Sequence, residues 1–403
     1  MKKPELLAPA GDLEKLKVAF TYGADAVYMG GKLLGMRAAA KNFDAYEMEE
    51  GIRYARERGK KVYLTANIFA HNDDFNIMAE YFKSLRELTP DALIISDIGM
   101  FEVAREILPN MEIHVSTQAN VTNYRTALFW ERMGAARIIL ARELSLREIA
   151  EIKSKVGIEI ETFVHGSMCM AYSGRCLISN YMSYRDANRG ECSQPCRWKY
   201  ALVEEKSKEI LPVYDDDLGS YVFSSKDLCM VEHLPELINA GISSFKIEGR
   251  MKTAYYVANV TKVYREAIDD YFADPAIYTS KLHKYRESLA RISHREYTKG
   301  FYFGRITNHD HAYEDVMQLR TQDFLGIILD YDEKTGLATF EQRNKFSIGD
   351  RIEILQPIGD GFKQIVTELY DEKGIVVNSA PHPKQILKIK TDYRVKQYDM
   401  LKA

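Results

Sequence analysis

Short apolar runs alternate with amphipathic stretches through the first two thirds of the chain. The runs VYLTANI, LIISD, RIILAR and IETFV are rich in β-branched residues, which is typical of strands buried on both faces of a parallel sheet. Eight such strands are predicted at Glu5–Ala10, Ala24–Met29, Lys61–Ile68, Ala92–Ser96, Glu112–Thr117, Arg137–Ala141, Ile158–Val164 and Ser243–Ile247. Periodic apolar positions between them predict helices that include Asp12–Tyr22, Ala45–Arg56, Asn76–Leu88 and Ser145–Val156.

The order of these elements predicts an α/β fold. Strands that alternate with helices require a parallel sheet, and eight strand–helix units favour a closed (β/α)8 TIM-like barrel. An open doubly wound sheet is the alternative, but the first strand runs into LAPAGD and not into a G-x-G-x-x-G dinucleotide-binding turn. Ser145 and Glu148 have the spacing of a capping box, which marks the start of one helix.

After the eighth predicted strand, the alternation of strands and helices ends. Two further helices are predicted near Thr253–Ala273 and Ala276–Ser293. From Phe324 onwards, apolar and polar residues alternate in LGIILDYD, EKTGLATFEQ, DRIEILQP, KGIVVNS and QILKIKT. We therefore expect a TIM-barrel-like domain over 1–300, a linker over 301–323, and a small C-terminal β-barrel or sandwich over 324–403.

The net charge and the first residues indicate whether the protein binds nucleic acid over its whole surface, is secreted or enters a membrane. The net charge is −3, from 55 basic and 58 acidic residues among 403, so any nucleic-acid surface must be local. The opening MKKPELLAPAGD lacks the apolar core of a signal peptide, and no run approaches the roughly 18 apolar residues of a membrane helix. We expect a cytoplasmic protein that has no membrane partner.

All five cysteines lie in one abnormally long connection, between the seventh and eighth predicted strands. Cys169, Cys176, Cys192 and Cys196 have the spacing C-x6-C-x15-C-x3-C, and Cys229 follows. Loops after barrel strands lie on the catalytic face, so the insertion 166–229 carries these cysteines where chemistry is expected. In a reducing compartment such a cluster indicates metal binding or redox chemistry and not structural disulfides.

The spacing leaves three uses of these cysteines open. Zinc sites usually pair cysteines about two to four residues apart, and only Cys192 and Cys196 fit that rule. An iron–sulfur cubane takes four thiolates from more loosely spaced loops, and this is the interpretation that we favour. The third use is a catalytic thiol, or cysteines that simply pack in a core.

Several motifs resemble peptidase family U32, the collagenase-like family. They are ETFVHGSMCMAYSGRC, ELLAPAGD, ANRGECSQPCR, SSKDL and FKIEGR, and together they extend over nearly the whole chain. The resemblance implies a barrel-like catalytic domain followed by a smaller β domain. It also implies that members with this layout act in tRNA hydroxylation, the prephenate-dependent conversion of wobble uridine to 5-hydroxyuridine, and bind a [4Fe-4S] cluster.

The same resemblance implies the ligands of the cluster. Cys169 and Cys176 stand in the signature motif, and Cys192 in RGEC matches a third ligand. Cys229 is the expected fourth ligand, and Cys196 is the alternative, because another branch of the family uses that position. Some bacteria carry two adjacent family members, so a hetero-oligomer with a second member is a further expectation.

Four side chains on the expected catalytic face are candidates for binding and proton transfer. A dianion such as prephenate needs fixed cations, and arginine binds a carboxylate through two parallel hydrogen bonds. Arg142 follows the sixth strand, Arg175 lies between two expected ligands, and Arg250 ends FKIEGR. His165 could carry a proton. The alternative is structural, with arginines that pair with acids such as Glu248 and a histidine that only holds its strand end.

Peptide hydrolysis is the rival activity. The chain has neither H-E-x-x-H nor G-x-S-x-G. His165 and Ser167 would share one face of a strand but lie roughly 6–7 Å apart, too far for a direct hydrogen bond. A Cys169–His165 pair could act as a cysteine protease, but it leaves the other cysteines without a role. A third hypothesis is a zinc-stapled protein that binds RNA or a partner subunit.

Two basic patches are candidates for binding RNA, where bases stack on aromatic or arginine side chains. The first lies in the insertion and consists of Arg185, Arg189, Arg197, Trp198 and Lys199, with rings from Tyr172, Tyr181 and Tyr184. The second lies in the tail and consists of Lys384, Lys388, Lys390, Arg394, Lys396 and Lys402. The alternative for both patches is ordinary packing beneath a solvated surface.

Overall fold

The computed structural model consists of a parallel barrel followed by an antiparallel β domain. It describes residues 2–32, 34–35, 41–169, 171–198, 201–203, 210–212, 225–304 and 322–403. No helix within these ranges is long and apolar enough to cross a lipid bilayer. Most of the predicted linker, 305–321, lies outside the described residues.

The strands of the first domain close into the predicted (β/α)8 barrel. In chain order they are β1 (Glu5–Pro9), β2 (Ala26–Gly30), β3 (Lys61–Ala66), β4 (Ala92–Ile95), β5 (Glu112–Val115), β6 (Arg137–Ile139), β7 (Glu159–Ser167), β8 (Ala201–Val203), β9 (Ile210–Pro212), β10 (Asp227–Cys229), β11 (Ser244–Ile247) and β12 (Tyr297–Thr298). Strands β1 to β7 lie side by side in parallel, and β11 pairs with both β1 and β7 to close the ring. The fold class is therefore confirmed, and the eight barrel strands lie where the apolar runs predicted them.

Helices alternate with the barrel strands and cover the outside of the ring. They are α1 (Leu13–Thr21), α2 (Ala45–Arg56), α3 (Asp74–Leu88), α4 (Ile98–Ile107), α5 (Tyr124–Arg132) and α6 (Leu146–Lys155), and, after the short helix α7 (Ile178–Ser183) of the cysteine insertion, α8 (Leu234–Asn239), α9 (Ala254–Ala273) and α10 (Pro275–Ala290). The capping box predicted at Ser145 is present, because its backbone amide donates to the Glu148 carboxylate at 2.8 Å and its hydroxyl accepts from the Glu148 amide.

The cysteine insertion returns to the barrel wall before the eighth barrel strand. β10 pairs antiparallel with β7, which places Cys229 opposite His165, and parallel with β12. Neither this pairing nor the extension of β7 to Ser167 was predicted. Leu228 and Met230 are buried, and this burial holds the returning segment against the barrel. Strands β8 and β9 pair only with each other among the described strands.

The C-terminal domain is a half-barrel of antiparallel strands. They are β13 (Phe324–Asp332), β14 (Leu337–Gln342), β15 (Phe346–Ser347), β16 (Arg351–Leu355), β17 (Phe362–Ile365), β18 (Leu369–Tyr370), β19 (Ser379–Ala380), β20 (Ile386–Lys390) and β21 (Met400–Lys402). The main sheet has the order β17-β16-β21-β13-β14-β20-β18. Its inner face buries alternate apolar residues such as Leu325, Phe340, Ile354 and Leu387, as the period-two pattern predicted.

Two details of this domain differ from the sequence-based expectation. The run KGIVVNS was predicted to be a strand, but it begins with a turn in which the Asp371 carboxylate accepts hydrogen bonds from the amides of Lys373 and Ile375. Ile375 and Val376 are 60% and 63% exposed, so their apolar side chains do not mark a buried strand. Strands β17 and β21 were missed because four and three residues are too few to show a period.

The C-terminal domain packs on the outside of the barrel. The Tyr22 hydroxyl, at the end of α1, donates to the backbone oxygens of Leu355 and Tyr398 at 3.0 and 3.1 Å. Lys262 in α9 donates to the backbone oxygen of Gln356 at 2.6 Å. These contacts attach the C-terminal domain to the side of the barrel that α1 and α9 cover.

Candidate active site at the barrel mouth

A cleft opens at the carboxyl-terminal ends of the barrel strands. Its lining consists of Tyr28, Thr65, Asn67, Ile94, Ser116, Thr117, Gln118, Ile139, Arg142, Phe163, Lys246, Glu248 and Arg250. Active sites of parallel barrels lie at this end of the strands. Two of the predicted arginines, Arg142 and Arg250, line the cleft together with Lys246. Three cations against the single carboxylate of Glu248 favour an anionic ligand.

Charged side chains fill the barrel interior below the cleft. Arg137 on β6 bonds Glu5 on β1 at 2.6 Å, and Glu159 and Glu161 on β7 at 2.7 and 3.0 Å. Lys246 on β11 donates to Glu161 at 2.9 Å. β1 and β6 are not neighbours in the ring, so these groups meet inside it, where Glu161 is fully buried. Burial alone would raise the pKa of Glu161, but Lys246 and Arg137 together lower it to about 2.

Lys246 forms the floor of the cleft, and sequence reasoning did not single it out. Its ammonium lies 4.4 Å from the centre of the Tyr28 ring and 5.5 Å from that of Phe163. Burial lowers the pKa of Lys246, while Glu161 acts in the opposite direction. The sequence did contain a signal for an interior role of Lys246 and Glu161. Each is a charged residue inside an otherwise apolar strand, which is costly unless it has an interior partner.

Arg142 extends from the cleft to the cysteine insertion. Its guanidinium carbon lies 3.7 Å from the centre of the Phe163 ring, and Nη1 donates to the backbone oxygen of Ser167 at 2.8 Å. Nη2 is 3.8 Å from the Glu248 carboxylate, an ion pair that the structural interpretation anticipated. The same guanidinium is also close enough to the Cys169 thiol to lower its pKa. Arg142 therefore contacts the cleft and the predicted cluster site.

Arg250 reaches into the cleft from the loop after β11 and is 4% exposed. Nη1 donates to the Thr65 hydroxyl at 3.3 Å, and Nη2 donates to the Asn42 side-chain oxygen at 2.6 Å. Gly30 at the end of β2 makes room for this side chain, because an ideal Cβ there would lie 2.2 Å from Nη2. Glycine at this position therefore determines where Arg250 can lie.

Arg175 contacts the wall of the cleft from behind. Its Nε and Nη2 donate to the backbone oxygen of Gln118 at 3.2 and 3.1 Å, and its guanidinium lies 5.1 Å from the centre of the Phe69 ring. Gln118 lines the cleft, so Arg175 can position that residue. Direct contact between Arg175 and a substrate stays a prediction.

A β-bulge turns His165 away from the cleft. The pairing of β7 with β11 skips Val164, so the next side chain on β7 points to the helices outside the barrel. The His165 ring lies 5.4 to 6.0 Å from the rings of Tyr256, Tyr264 and Tyr297. Burial lowers its pKa to about 3, so the ring is neutral at pH 7. A role of His165 as a proton carrier stays a prediction.

Three of the predicted ligands lie near one another beside the cleft. The Cys169 thiol is within electrostatic range of the thiols of Cys176 and Cys192. Burial raises the pKa of Cys169, whereas the Ala171 amide and Arg142 lower it. In the described ranges no group of three histidine, cysteine, aspartate or glutamate side chains is arranged so that it could hold a metal ion. A cubane takes its thiolates at the corners of a larger polyhedron, so the proximity of these three thiols keeps them as candidates, and ligation stays a prediction.

The two candidates for the fourth ligand lie in different places. Cys229 on β10 lies opposite His165, and burial raises the pKa of its thiol to about 11 in spite of a hydrogen bond from Tyr264. Cys169 follows His165 by four residues, which is up to roughly 13 Å along an extended chain, whereas Cys229 lies on the neighbouring strand. Cys196 lies in a short turn, Pro195–Arg197, that packs on α7. Which of the two completes the set stays a prediction.

The insertion is anchored to the mouth by polar contacts. Arg189 donates to both oxygens of Asp74, at the start of α3, at 2.8 Å each. This pairing lowers the pKa of Asp74 to about 2. The Asn188 side chain accepts from the amide of Cys176 at 3.2 Å and donates to its carbonyl at 3.0 Å. Arg189, a member of the first predicted RNA patch, therefore has a structural partner.

Exposed aromatic residues surround the cysteines. Tyr184, Tyr181, Tyr172 and Trp198 are 93%, 79%, 51% and 42% exposed, whereas Lys199 and the side chain of Arg197 lie outside the described residues. The second predicted patch needs a correction at Lys402, which is 3% exposed and pairs with Glu353 at 3.0 Å. Lys402 is buried on the face of β21 opposite Leu401, where it also donates to the side chain of Gln322 at 3.1 Å, so it does not belong to an exposed basic patch.

Comparison with known proteins identifies both domains. Residues 11–312 match the model of peptidase family U32, and residues 320–402 match that of the peptidase family U32 C-terminal domain. tRNA hydroxylation protein P1 of Bacillus subtilis is 42% identical over 401 residues, which are 100% of this chain and 95% of that protein. tRNA hydroxylation protein P of Escherichia coli is 40% identical over 89% of this chain and 88% of that protein.

A third relative has a different name. The collagenase of Porphyromonas gingivalis is 32% identical over 379 residues, which are 91% of this chain and 89% of that protein. The two family models divide the chain between residues 312 and 320, in the stretch between the barrel and the half-barrel. The chain belongs to peptidase family U32.

Proposed function

We propose that this protein is a cytoplasmic tRNA hydroxylase that converts wobble uridine to 5-hydroxyuridine and uses prephenate and a [4Fe-4S] cluster. The names of its two full-length bacterial relatives support tRNA hydroxylation. One structural observation supports the chemistry most directly: Arg142 lines the cationic cleft and lies within electrostatic range of the Cys169 thiol. A bound anion and a cluster at the neighbouring thiols would therefore share one wall of the site.

The cleft provides the groups that a small dianion needs. Arg142 and Arg250 can each bind a carboxylate through charge-assisted hydrogen bonds, and Lys246 adds a third positive charge at the floor. The rings of Tyr28 and Phe163 offer apolar surface to a carbon ring. Partial burial of these cations strengthens their attraction for an anion, because few water molecules compete with the ligand.

Cys169, Cys176 and Cys192 are the proposed ligands of the cluster, with Cys229 or Cys196 as the fourth. A bound [4Fe-4S] cluster would supply electron transfer or Lewis acidity at the wall of the cleft. The chain's own part is to hold three thiols near one another, and the positive charge of Arg142 favours the anionic form of Cys169. Association with a second family member belongs to the same proposal.

The exposed tyrosines of the insertion are the proposed contact with tRNA. Tyr184→Ala is expected to weaken tRNA binding by roughly 5- to 100-fold, since stacking contributes about 1–3 kcal/mol per base. Electrophoretic mobility shifts with purified tRNA measure the change. Tyr393→Ala is the matched control, because Tyr393 is also exposed, at 64%, but lies in the C-terminal domain. Equal effects of both substitutions would contradict a stacking surface in the insertion.

Substitution of Gly30 tests whether Arg250 binds the anion, and it leaves every charged side chain in place. Gly30→Ala is expected to displace Arg250 and to weaken prephenate binding by roughly 10- to 100-fold, the value of one hydrogen bond to a charged group. Isothermal titration calorimetry measures the affinity. Gly35→Ala serves as the control, because a Cβ there makes only ordinary contacts, the nearest at 3.7 Å. Unchanged affinity in Gly30→Ala would remove Arg250 from the proposed binding site.

The reaction itself is tested in cells. Deletion of the gene is expected to remove 5-hydroxyuridine derivatives from tRNA, and the intact gene is expected to restore them when mass spectrometry is used to analyse the digested tRNA. An Arg142→Ala gene should fail to restore them, whereas Arg142→Lys should restore them only in part, because lysine keeps the charge but not the paired hydrogen bonds. Unchanged nucleosides in the deletion strain would reject the proposal if no second hydroxylation route exists there.

Peptide hydrolysis is the second candidate function, supported by the collagenase relative. Its weakness is the direction of His165, which packs against tyrosines of α9 on the far side of the barrel wall from the cleft. Gelatin hydrolysis by the pure protein that disappears in Cys169→Ser would support this candidate. Stoichiometric zinc without iron would instead favour the zinc-stapled binding protein.

A further inference from the structure

Lys246 is the only amine among the side chains that line the cleft. Its Nζ lies at the floor between the rings of Tyr28 and Phe163, and it is bonded to a single carboxylate, Glu161, at 2.9 Å. The Phe163 ring also carries the guanidinium of Arg142, at 3.7 Å. The guanidinium of Arg142, which can bind a carboxylate, and the amine of Lys246 therefore both lie near the Phe163 ring.

The surroundings of this amine favour nucleophilic chemistry. Burial lowers the pKa of Lys246, which increases the fraction of its neutral form relative to an exposed lysine. Glu161 is fully buried and is held as an anion by Arg137 and Lys246. The Glu161 carboxylate, 2.9 Å from Nζ, would stabilise the positive charge of an iminium formed at this nitrogen.

We propose that Lys246 forms a Schiff base with the ketone carbon of a 2-oxo carboxylic acid bound in the cleft. Such an acid carries its carboxylate directly beside the ketone, which matches an amine and an arginine on one ring. The inference deepens the proposed function, because it assigns a covalent contact to the small anionic co-substrate at the same site. It does not depend on tRNA or on the cluster.

The step balances in atoms and in charge. Lys246 Nζ loses one proton to solvent water and attacks the ketone carbon, and a second proton passes from the nitrogen to the ketone oxygen, which gives a carbinolamine. The hydroxyl group of this intermediate leaves as water after a proton returns from the solvent, and a protonated imine remains. One ammonium and one ketone thus become one iminium and one water, with no oxidation. The positive charge stays beside Glu161, so the buried ion pair is kept and no uncompensated charge arises inside the barrel.

Borohydride trapping tests this proposal directly. The full-length protein is incubated with pyruvate or phenylpyruvate, reduced with sodium borohydride, digested and mapped by mass spectrometry. The expected result is one reductively attached acid on the peptide that contains Lys246. Lactate, which has no ketone, should leave the protein unmodified.

Two variants serve as controls. Lys246→Arg should lose the adduct, because arginine keeps the positive charge but forms no such imine. Lys252→Arg should keep it, because Lys252 does not line this cleft and its ammonium lies 5.2 Å from the Tyr256 ring. The position of the adduct is mapped in the wild-type protein. A folding defect in Lys246→Arg therefore cannot mask the answer.

The outcomes separate this inference from the proposed function. Absence of any adduct, or an adduct on other lysines only, would overturn the role of Lys246. Hydroxylation of tRNA is measured independently in the complemented strain. An adduct without tRNA hydroxylation would remove only the proposed function, whereas hydroxylation without an adduct would remove only the Schiff base.

Discussion

Replacement of Cys169, Cys176 or Cys192 by serine is expected to abolish iron binding and to reduce 5-hydroxyuridine in tRNA to the level of the deletion strain. A serine hydroxyl stays protonated near neutral pH and binds iron poorly, so each substitution removes one of the four proposed ligands. The Cys169 thiol lies within electrostatic range of the thiols of Cys176 and Cys192, and the loss of any one proposed ligand should have the same consequence.

Iron and acid-labile sulfide per chain, measured after anaerobic purification, report on the cluster independently of the reaction. Ser193→Ala is the matched control in the same insertion. Its hydroxyl is hydrogen-bonded to the hydroxyls of Ser179 and Ser183 at 3.0 and 2.7 Å, so the variant disturbs local packing but removes no thiol. Full iron content in all three cysteine variants would reject these ligands, and a colourless wild-type protein after reconstitution would reject the cluster itself.

The same assay identifies the fourth ligand. Cys229→Ser and Cys196→Ser should differ, with iron lost in only one of them. The Cys229 thiol is buried beside Tyr264 with a raised pKa, so ligation through it requires the loss of a firmly held proton. Cys196 lies in the insertion itself, four residues after Cys192. Iron loss in neither variant would mean that the protein supplies only three cysteine ligands.

Arg137→Met is expected to lower the free energy of unfolding by about 3–5 kcal/mol, the typical cost of removing one partner from a buried ion pair. Arg137 is 5% exposed and bonds three carboxylates, those of Glu5, Glu159 and Glu161. Without it, Lys246 alone would balance the fully buried Glu161. Urea unfolding followed by circular dichroism measures the difference.

Arg53→Met provides the control for this measurement. Arg53 and its partner Glu57 are 66% and 54% exposed on α2, and such surface pairs contribute little to stability. The double variant Arg137→Met with Glu161→Gln should recover part of the loss, because it also removes the carboxylate that is left buried. A double variant as unstable as the sum of its single changes would show that packing, and not charge, is the cause.

The dependence of stability on acid pH is a second measurement of the ion pairs among Arg137, Glu161 and Lys246. The pKa of Glu161 is depressed to about 2 in the folded protein, below the value of about 4.3 in an unfolded chain. A depressed carboxyl pKa contributes stability above the unfolded value, and this contribution is lost as the pH falls towards 2. In Arg137→Met the folded pKa should rise, so the pH-dependent contribution of Glu161 should shrink. Identical acid profiles of the two proteins would contradict this account.

Much of the architecture followed from local sequence patterns. Apolar runs of strand length and amphipathic stretches of helix length gave the order and approximate bounds of the eight barrel strands, because these periods reflect burial of the segment itself. The capping box at Ser145 was predictable for the same reason, since its partner Glu148 lies within the first helical turn. The motifs and the cysteine spacing indicated the family and directed attention to the insertion.

The residues that meet inside the barrel were determined only by the tertiary structure. Arg137, Glu161 and Lys246 are 24 and 85 residues apart in successive pairs, and their contacts depend on ring closure and strand register. The bulge at Val164 reverses the direction of His165, and the pairing of β10 separates Cys229 from Cys169. A local pattern records which segments are buried, but a one-residue change of register exchanges the two faces of a strand. The fold could therefore be predicted from the sequence. Which residues form the site depended on how the strands align in three dimensions.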